Sequence, residues 1–88
     1  METFENAVDC VLRLSKEPSS EDKLLLYGLF KQATVGDVNT DCPSIFNGIA
    51  RMKWYAWNAH LGKTTDQAKT EYIIVIKRLI AEIGITNM

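Results

Sequence analysis

Long apolar runs are absent from this chain. The strongest, Tyr72 to Ile76, stops at Lys77-Arg78, far short of the roughly 20 residues that a membrane-spanning helix requires. An excess of positive charge is missing too. Ten Lys and Arg stand against eleven Asp and Glu, a formal net charge of -1, which argues against the basic field that nucleic-acid binders use to displace counterions from phosphates. Local cation pairs can still hold a few phosphates. Cysteine is scarce: Cys10 and Cys42 are the only two, and the acidic start Met1-Glu2-Thr3-Phe4-Glu5 has no basic region leading into an apolar one. Two cysteines without an export signal read as reduced thiols, and a soluble, cytoplasmic protein is the expectation. His60 is the sole histidine, late on a helical segment, where a surface or helix-end role is expected. Neither metal-ligand spacing nor a nucleophile elbow occurs, so no metal and no catalytic group is expected.

What is present is a chain of 88 residues, 47% apolar and 24% charged, the composition of one small globular domain over 1–88. Such a chain buries only about 60 to 65% of its unfolded surface, so a ligand must share a groove rather than enter a large cavity. Four helices are predicted. Phe4, Ala7, Val8, Val11, Leu12 and Leu14 follow a helical stripe that Pro18 ends, with Cys10 on the side away from it. Ser19-Ser20-Glu21-Asp22 supplies a hydroxyl to cap a second helix and acids to favour its positive end. That helix runs to about Val35, where Gly36 takes a left-handed turn. The third, near residues 48–61, places Ala50, Trp54, Trp57 and Leu61 on one stripe and ends at Gly62. Thr64 and Gln67 form a capping box for the last helix, whose broad apolar face holds Tyr72, Ile73, Val75, Ile76, Leu79, Ile80 and Ile83 before Gly84.

Connection lengths fix the topology. Glu17-Pro18 and Gly62-Lys63 are short and force antiparallel neighbours, whereas residues 36–47, rich in turn formers, can cross the bundle and leave helices two and three running the same way. The expectation is an all-α four-helix bundle, up-down-down-up, with a groove beside the long loop.

Chemistry concentrates in one stretch, Tyr27-Gly28-Leu29-Phe30-Lys31-Gln32-Ala33-Thr34-Val35-Gly36-Asp37-Val38-Asn39-Thr40. Tyr27, Phe30 and Lys31 fall at i, i+3 and i+4 and project toward one patch. Lys53-Trp54-Tyr55-Ala56-Trp57-Asn58 adds a second cation among rings, and Tyr72 stands on the last helix. Taken alone, the rings would be ordinary core and the lysines ordinary surface. Rings beside ammonium groups also suit a ligand that joins a flat base to phosphates: the rings stack, and lysine supplies a compact charge without demanding bidentate geometry.

In these residues, with Pro43 between the two stretches and Tyr72-Ile73 after them, the chain resembles the acyl-coenzyme A binding proteins, in order and spacing and over essentially its whole length. The resemblance implies a four-helix bundle that binds long-chain fatty acyl-CoA one to one, without turnover and without a cofactor, as an intracellular carrier and pool that serves acyl-CoA-using enzymes. It implies that Tyr27 reaches the ribose 3'-phosphate, Phe30 faces the adenine, Lys31 and Lys53 neutralise phosphate, and Tyr72 packs on the adenosine. Leu24 and Leu25, with Val8 and Leu12 of the first helix, are the candidate walls for the acyl tail. Gly28 and Trp54 are further candidates to line the groove, although Trp54 and Trp57 read first as core.

Departures from the family pattern set further expectations. Phe30 stands where a tyrosine is usual, keeping a stacking face and losing a hydroxyl. Leu12, Glu17 and Cys42 stand where basic residues are common, which predicts weaker headgroup attraction unless Arg13 compensates. Ile74, Val75 and Ile80 occupy positions that are usually charged, so an exposed apolar strip on the last helix is expected, open to self-association or a membrane. Two competing classes are a helical protein-interaction adaptor that has lost the ligand, and a thioester hydrolase built on Cys10 or Cys42 with His60.

Overall fold

Hydroxyls start three of the four helices. In the computed structural model, which describes residues 3–86, Thr3 Oγ1 accepts from the Asn6 N–H at 3.1 Å ahead of α1 (Phe4–Val11), and Ser19 Oγ accepts from the Asp22 N–H at 3.1 Å ahead of α2 (Ser20–Thr34). α3 spans Gly48–Asn58, and α4 spans Thr65–Ile83. At the head of α4 the capping box is complete, Thr64 Oγ1 accepting from the Gln67 N–H at 3.0 Å while Gln67 Oε1 accepts from the Thr64 N–H at 2.8 Å. Each such cap satisfies backbone donors that the first helical turn leaves unpaired. Met1 and Glu2, part of the acidic start, lie outside the described residues. Among the described residues, no helix is long and apolar enough to cross a membrane.

The contacts between helices give the direction of each. Phe4 at the start of α1 meets Tyr72 of α4, while Leu14 and Ser15 beyond its end meet Ile85 and Gly84, so α1 and α4 run together. α2 opposes α4: Asp22 near its start binds Arg78 at 2.6 Å, and Gln32 near its end reaches the Lys63 carbonyl just before α4 at 2.7 Å. Along α2 and α3 the contacts advance in step, Tyr27 with Lys53, Gly28 with Ala56 and His60, Lys31 with Trp57. The order is therefore up-down-down-up. Phe4, Ala7, Leu26, Leu29, Ala33, Ala68, Tyr72, Val75, Ile76 and Leu79 form the core between α1, α2 and α4.

Parallel α2 and α3 oblige the chain to travel back along the bundle between them, and three α3 side chains hold that return path. Trp57 Nε1 donates to the Gly36 carbonyl at 2.7 Å, Trp54 Nε1 to Thr40 at 2.9 Å and Arg51 to Pro43 at 2.8 Å. Their three-residue spacing keeps the donors near one face of α3, and the loop descends past them in register. Gly36, at φ +96°, makes the reversal into this loop, a conformation that costs a residue with a Cβ more.

Several sequence-based expectations need correction, and two share one cause. The first helix stops at Val11, and the N–H groups of Leu12, Arg13 and Leu14 bond three residues back, to Asp9, Cys10 and Val11. The tighter turn advances side chains by more than the α-helical angle, so Leu12 swings out to 89% exposure instead of continuing the core stripe. At the end of α3 the same i−3 pattern, His60 to Trp57 and Leu61 to Asn58, leaves Leu61 exposed and His60 buried, the reverse of the expected placing. Cys10 packs against the core rather than facing away from it, and Cys10 and Cys42 are both free thiols. The expected apolar strip on α4 is also absent from the described residues: Val75 is core, Ile80 packs against it, and only Ile74 is left 60% exposed. α4 carries α1 and α2 on adjoining sides, which widens the arc of residues that it buries.

Candidate functional site

Two grooves flank α2, and they differ in chemistry. The first, about 660 Å³, lies between α2 and the irregular segment that follows α1, a size usual for small-molecule sites. Tyr27 and Phe30 enter it from α2, Tyr72 from α4, and Leu12, Lys16 and Lys23 belong to its walls. Phe4 supports these rings, stacking on Phe30 at 6.0 Å and meeting the edge of Tyr72 at 5.1 Å between centroids. Burial holds the Tyr72 phenol above its ordinary pKa, so it remains a hydrogen-bond donor at neutral pH. Backbone bonds tie the segment to the end of α4, Ser15 N–H to the Gly84 carbonyl at 2.9 Å and Thr86 N–H to the Arg13 carbonyl at 2.7 Å. Lys23 at the rim pairs with Glu17 at 3.2 Å.

The second groove, about 510 Å³, runs between α2 and α3 and is lined by Leu24, Leu25, Met52, Tyr55, Ala56 and Ala59, with Glu21 and His60 as its ionisable members. Between the grooves the helices cross at Gly28, where a Cβ would stand 2.1 Å from the Ala56 carbonyl oxygen. Only a residue without a side chain permits that approach. Around the crossing each helix lends a lysine to a ring of the other: Lys31 lies over Trp57 at 4.8 Å and Lys53 over Tyr27 at 5.5 Å from the centroid. Among the described residues neither ammonium has a carboxylate within ion-pair distance. Each is steered by a π face and keeps its charge free for an anion.

The sequence profile of the family described as "Acyl CoA binding protein" matches residues 1–76. The chain belongs to the acyl-CoA-binding protein family. Its similarity extends to "Acyl-CoA-binding protein" of Brassica napus, 49% identical over 79 residues, covering 90% of this chain and 86% of that one. Among solved structures, it superimposes on the crystal structure of Oryza sativa Acyl-CoA-Binding Protein 2 with a TM-score of 0.85 at 49% identity, covering 90% and 86% of the two chains. The solution structure of the yeast Acyl Coenzyme A Binding Protein gives 0.72 at 43%, covering 92% and 94%.

In this member of the acyl-CoA-binding protein family, the residues singled out by sequence divide among distinct places. Tyr27, Phe30, Tyr72 and Leu12 share the ring-lined groove, while Leu24 and Leu25 line the other. Lys31 and Lys53 border the crossing, and Gly28 is the crossing itself. Val8 packs against the core, Arg13 lines a smaller pocket with Asn6, Asp9 and Cys10, and Trp54 is held by Thr40 and the edge of Tyr55. Arg13 therefore does not replace a cation at Leu12 in the ring-lined groove. Sequence reasoning overlooked Phe4 as a support for the rings, Lys16 and Lys23 as groove cations, and Met52 and Tyr55 as walls. Phe4 was hidden among core positions, and the helix break that brings Lys16 to the groove has no mark in the periodicity.

A polar brace fixes the far end of the site. Gln32, 0% exposed, donates to Asp37 at 2.9 Å and to the Lys63 carbonyl at 2.7 Å, and Asp37 also accepts the Gly62 N–H at 2.8 Å. The Gly62 bond first and the Gln32 bond second hold the Asp37 carboxyl below its ordinary pKa. Beside it, Lys63 reaches His60 Nδ1 at 3.0 Å and Glu71 at 2.8 Å. Burial, aided by the Lys63 charge and opposed by Glu71, holds His60 below its ordinary pKa and so neutral.

Proposed function

We propose that this protein binds long-chain fatty acyl-CoA thioesters one to one and acts as an intracellular carrier and pool for them. The observation that carries this reading is that α2 separates a groove holding three rings from a largely aliphatic one, with Lys31 and Lys53 set beside its crossing with α3. Such a ligand joins a purine and phosphates to an apolar tail, and a binder must satisfy both ends at once. Tyr27, Phe30 and Tyr72 would receive the adenosine, with Lys31 and Lys53 at its phosphates. Stacking contributes about 1 to 3 kcal/mol per base in single-strand binders. The tail would lie along Leu24, Leu25, Met52 and Ala56, where each methylene removed from water adds about 0.8 kcal/mol, roughly fourfold in affinity. Holding both ends would shield the thioester from water and micelles until an acyl-CoA-using enzyme takes it.

Neither thiol belongs to the lining of either groove, and His60 Nδ1 is engaged by Lys63, which argues against hydrolysis by Cys10 or Cys42. The test is calorimetric titration with palmitoyl-CoA, paired with native mass spectrometry. A single 1:1 adduct and an affinity that rises with chain length are expected. No heat and no adduct would leave the adaptor reading in its place, and time-dependent release of CoA would favour the hydrolase.

A further inference from the structure

Among the described residues, five of the eleven exposed large apolar side chains gather at one place, the end of the long loop and the outer face of α3. The turn at Ser44, whose Oγ accepts the Phe46 N–H at 3.2 Å, displays Ile45 and a Phe46 that is 93% exposed. Ile49, Met52 and Tyr55 continue the surface along α3 at three-residue intervals, all exposed. Such a concentration on a small protein marks a docking surface rather than the scatter of single apolar residues common on protein exteriors.

Charge identifies what fits it. Between Asp41 and Asp66 the sequence has no acid, while Arg51, Lys53 and Lys63 fall there, in a chain whose net charge is -1. Lys63 is engaged with Glu71, which leaves Arg51 and Lys53 beside the apolar cluster. Arg51 is fixed there by the Pro43 carbonyl at 2.8 Å and the Tyr55 hydroxyl at 3.2 Å. Glu21, in the neighbouring groove, is the acid that α2 contributes nearby. Apolar side chains at a helix start with cations beside them form the pattern of an interfacial element on anionic lipid. A second copy of the chain would instead set Arg51 and Lys53 against their equals.

We propose that residues 45–55 form a docking surface for an anionic lipid bilayer, with Ile45, Phe46, Ile49 and Met52 entering the interface, and with Arg51, joined by Lys53 when no CoA ester occupies it, facing lipid phosphates. Met52 and Tyr55 also line the α2–α3 groove, so the docked protein would hold that groove at the lipid surface. This last link rests on the proposed acyl-CoA binding; the docking itself does not.

Flotation with phosphatidylserine-containing vesicles, without acyl-CoA, tests it. Binding is expected, with at least tenfold less protein floating on phosphatidylcholine alone and with about fivefold lost for each cation neutralised, as in Arg51→Gln. The double variant Phe46→Asp, Ile49→Asp changes two exposed side chains outside both grooves and should abolish flotation while calorimetric binding of palmitoyl-CoA persists. An absence of flotation by the unaltered protein would overturn the proposal, as would undiminished flotation of the double variant. Light scattering that shows a dimer through this face, with no vesicle binding, would replace the bilayer with a second copy. Failure to bind palmitoyl-CoA while flotation persists would count against the carrier reading alone.

Discussion

The groove on one side of α2 sets three rings and two lysines among aliphatic side chains and Glu17, and the groove on the other side is made mostly of aliphatic carbon, although both share a single helix. Tyr27 and Phe30 enter the first; Leu24 and Leu25 line the second. The difference shows how a small bundle can offer two unlike surfaces without an enclosed cavity: one helix with different faces is set between different neighbours. The crossing at Gly28 sets the distance between α2 and α3, the two walls of the second groove. Gly28→Ala is accordingly the change expected to break the comparison outright. Its Cβ would stand 2.1 Å from the Ala56 carbonyl oxygen, so α2 and α3 must part. A stability loss of about 3 kcal/mol is expected by urea unfolding, with the α2–α3 groove distorted and the ring-lined groove less affected. A fully stable variant would show that the crossing yields without cost.

Smaller changes should separate the grooves. Lys31→Ala removes an ammonium that has no carboxylate partner among the described residues, and the loss of one charge-assisted contact predicts roughly 10- to 100-fold weaker binding of every CoA ester. Chain length should not alter that factor. Leu24→Asp should do the opposite, leaving short esters nearly unchanged and flattening the roughly fourfold gain per methylene. Calorimetry over a series of chain lengths distinguishes the two. Parallel losses in both variants would mean that the grooves do not divide the ligand.

The sequence carried this division only in part. Helix starts were legible because caps are local: a hydroxyl at Ser19 or Thr64 and a partner three residues later suffice. The parallel course of α2 and α3 followed from loop length alone. What could not be read were the tightened turns after Val11 and Asn58, because periodicity assumes a constant angle per residue and a three-residue bond shifts the phase. That shift carried Leu12 outward and His60 inward, and it brought Lys16 to the ring-lined groove. The outward course of residues 45–49 was equally silent, since the loop looked merely polar and turn-rich. Family resemblance named Tyr27, Phe30, Lys31, Lys53 and Tyr72 as a set, but it gave no sign that the two lysines would each be guided by a ring of the opposite helix.

His60 sits where α3 ends, in the wall of the aliphatic groove, and it ties that end of the molecule to pH. Its folded pKa lies below the ordinary histidine value, chiefly through burial and then through Lys63. The contribution of neutral His60 to stability is therefore fully present above the unfolded pKa of about 6.5 and is lost as pH falls through the folded value. Urea midpoints should decline from pH 7.5 to pH 5. His60→Gln, which keeps a polar side chain but cannot titrate, should lessen that decline. An unchanged slope in the variant would assign the acid sensitivity to other groups; Asp37, held below its ordinary carboxylate pKa, stays ionised over this range and would act only at lower pH.

The smallest expected effect sharpens the comparison from the ring side. Phe30 stacks on Phe4 and remains 37% exposed at the groove, so Phe30→Tyr can add a hydroxyl without burying it unpaired. One neutral hydrogen bond contributes about 0.5 to 1 kcal/mol, which predicts CoA esters bound roughly two- to fivefold more tightly. Because the hydroxyl would stand across α2 from Leu24, the gain should be equal for short and long chains and leave the slope per methylene untouched. A gain that grew with chain length would place part of the tail in the ring-lined groove, and the separation of the two sides of α2 would not hold.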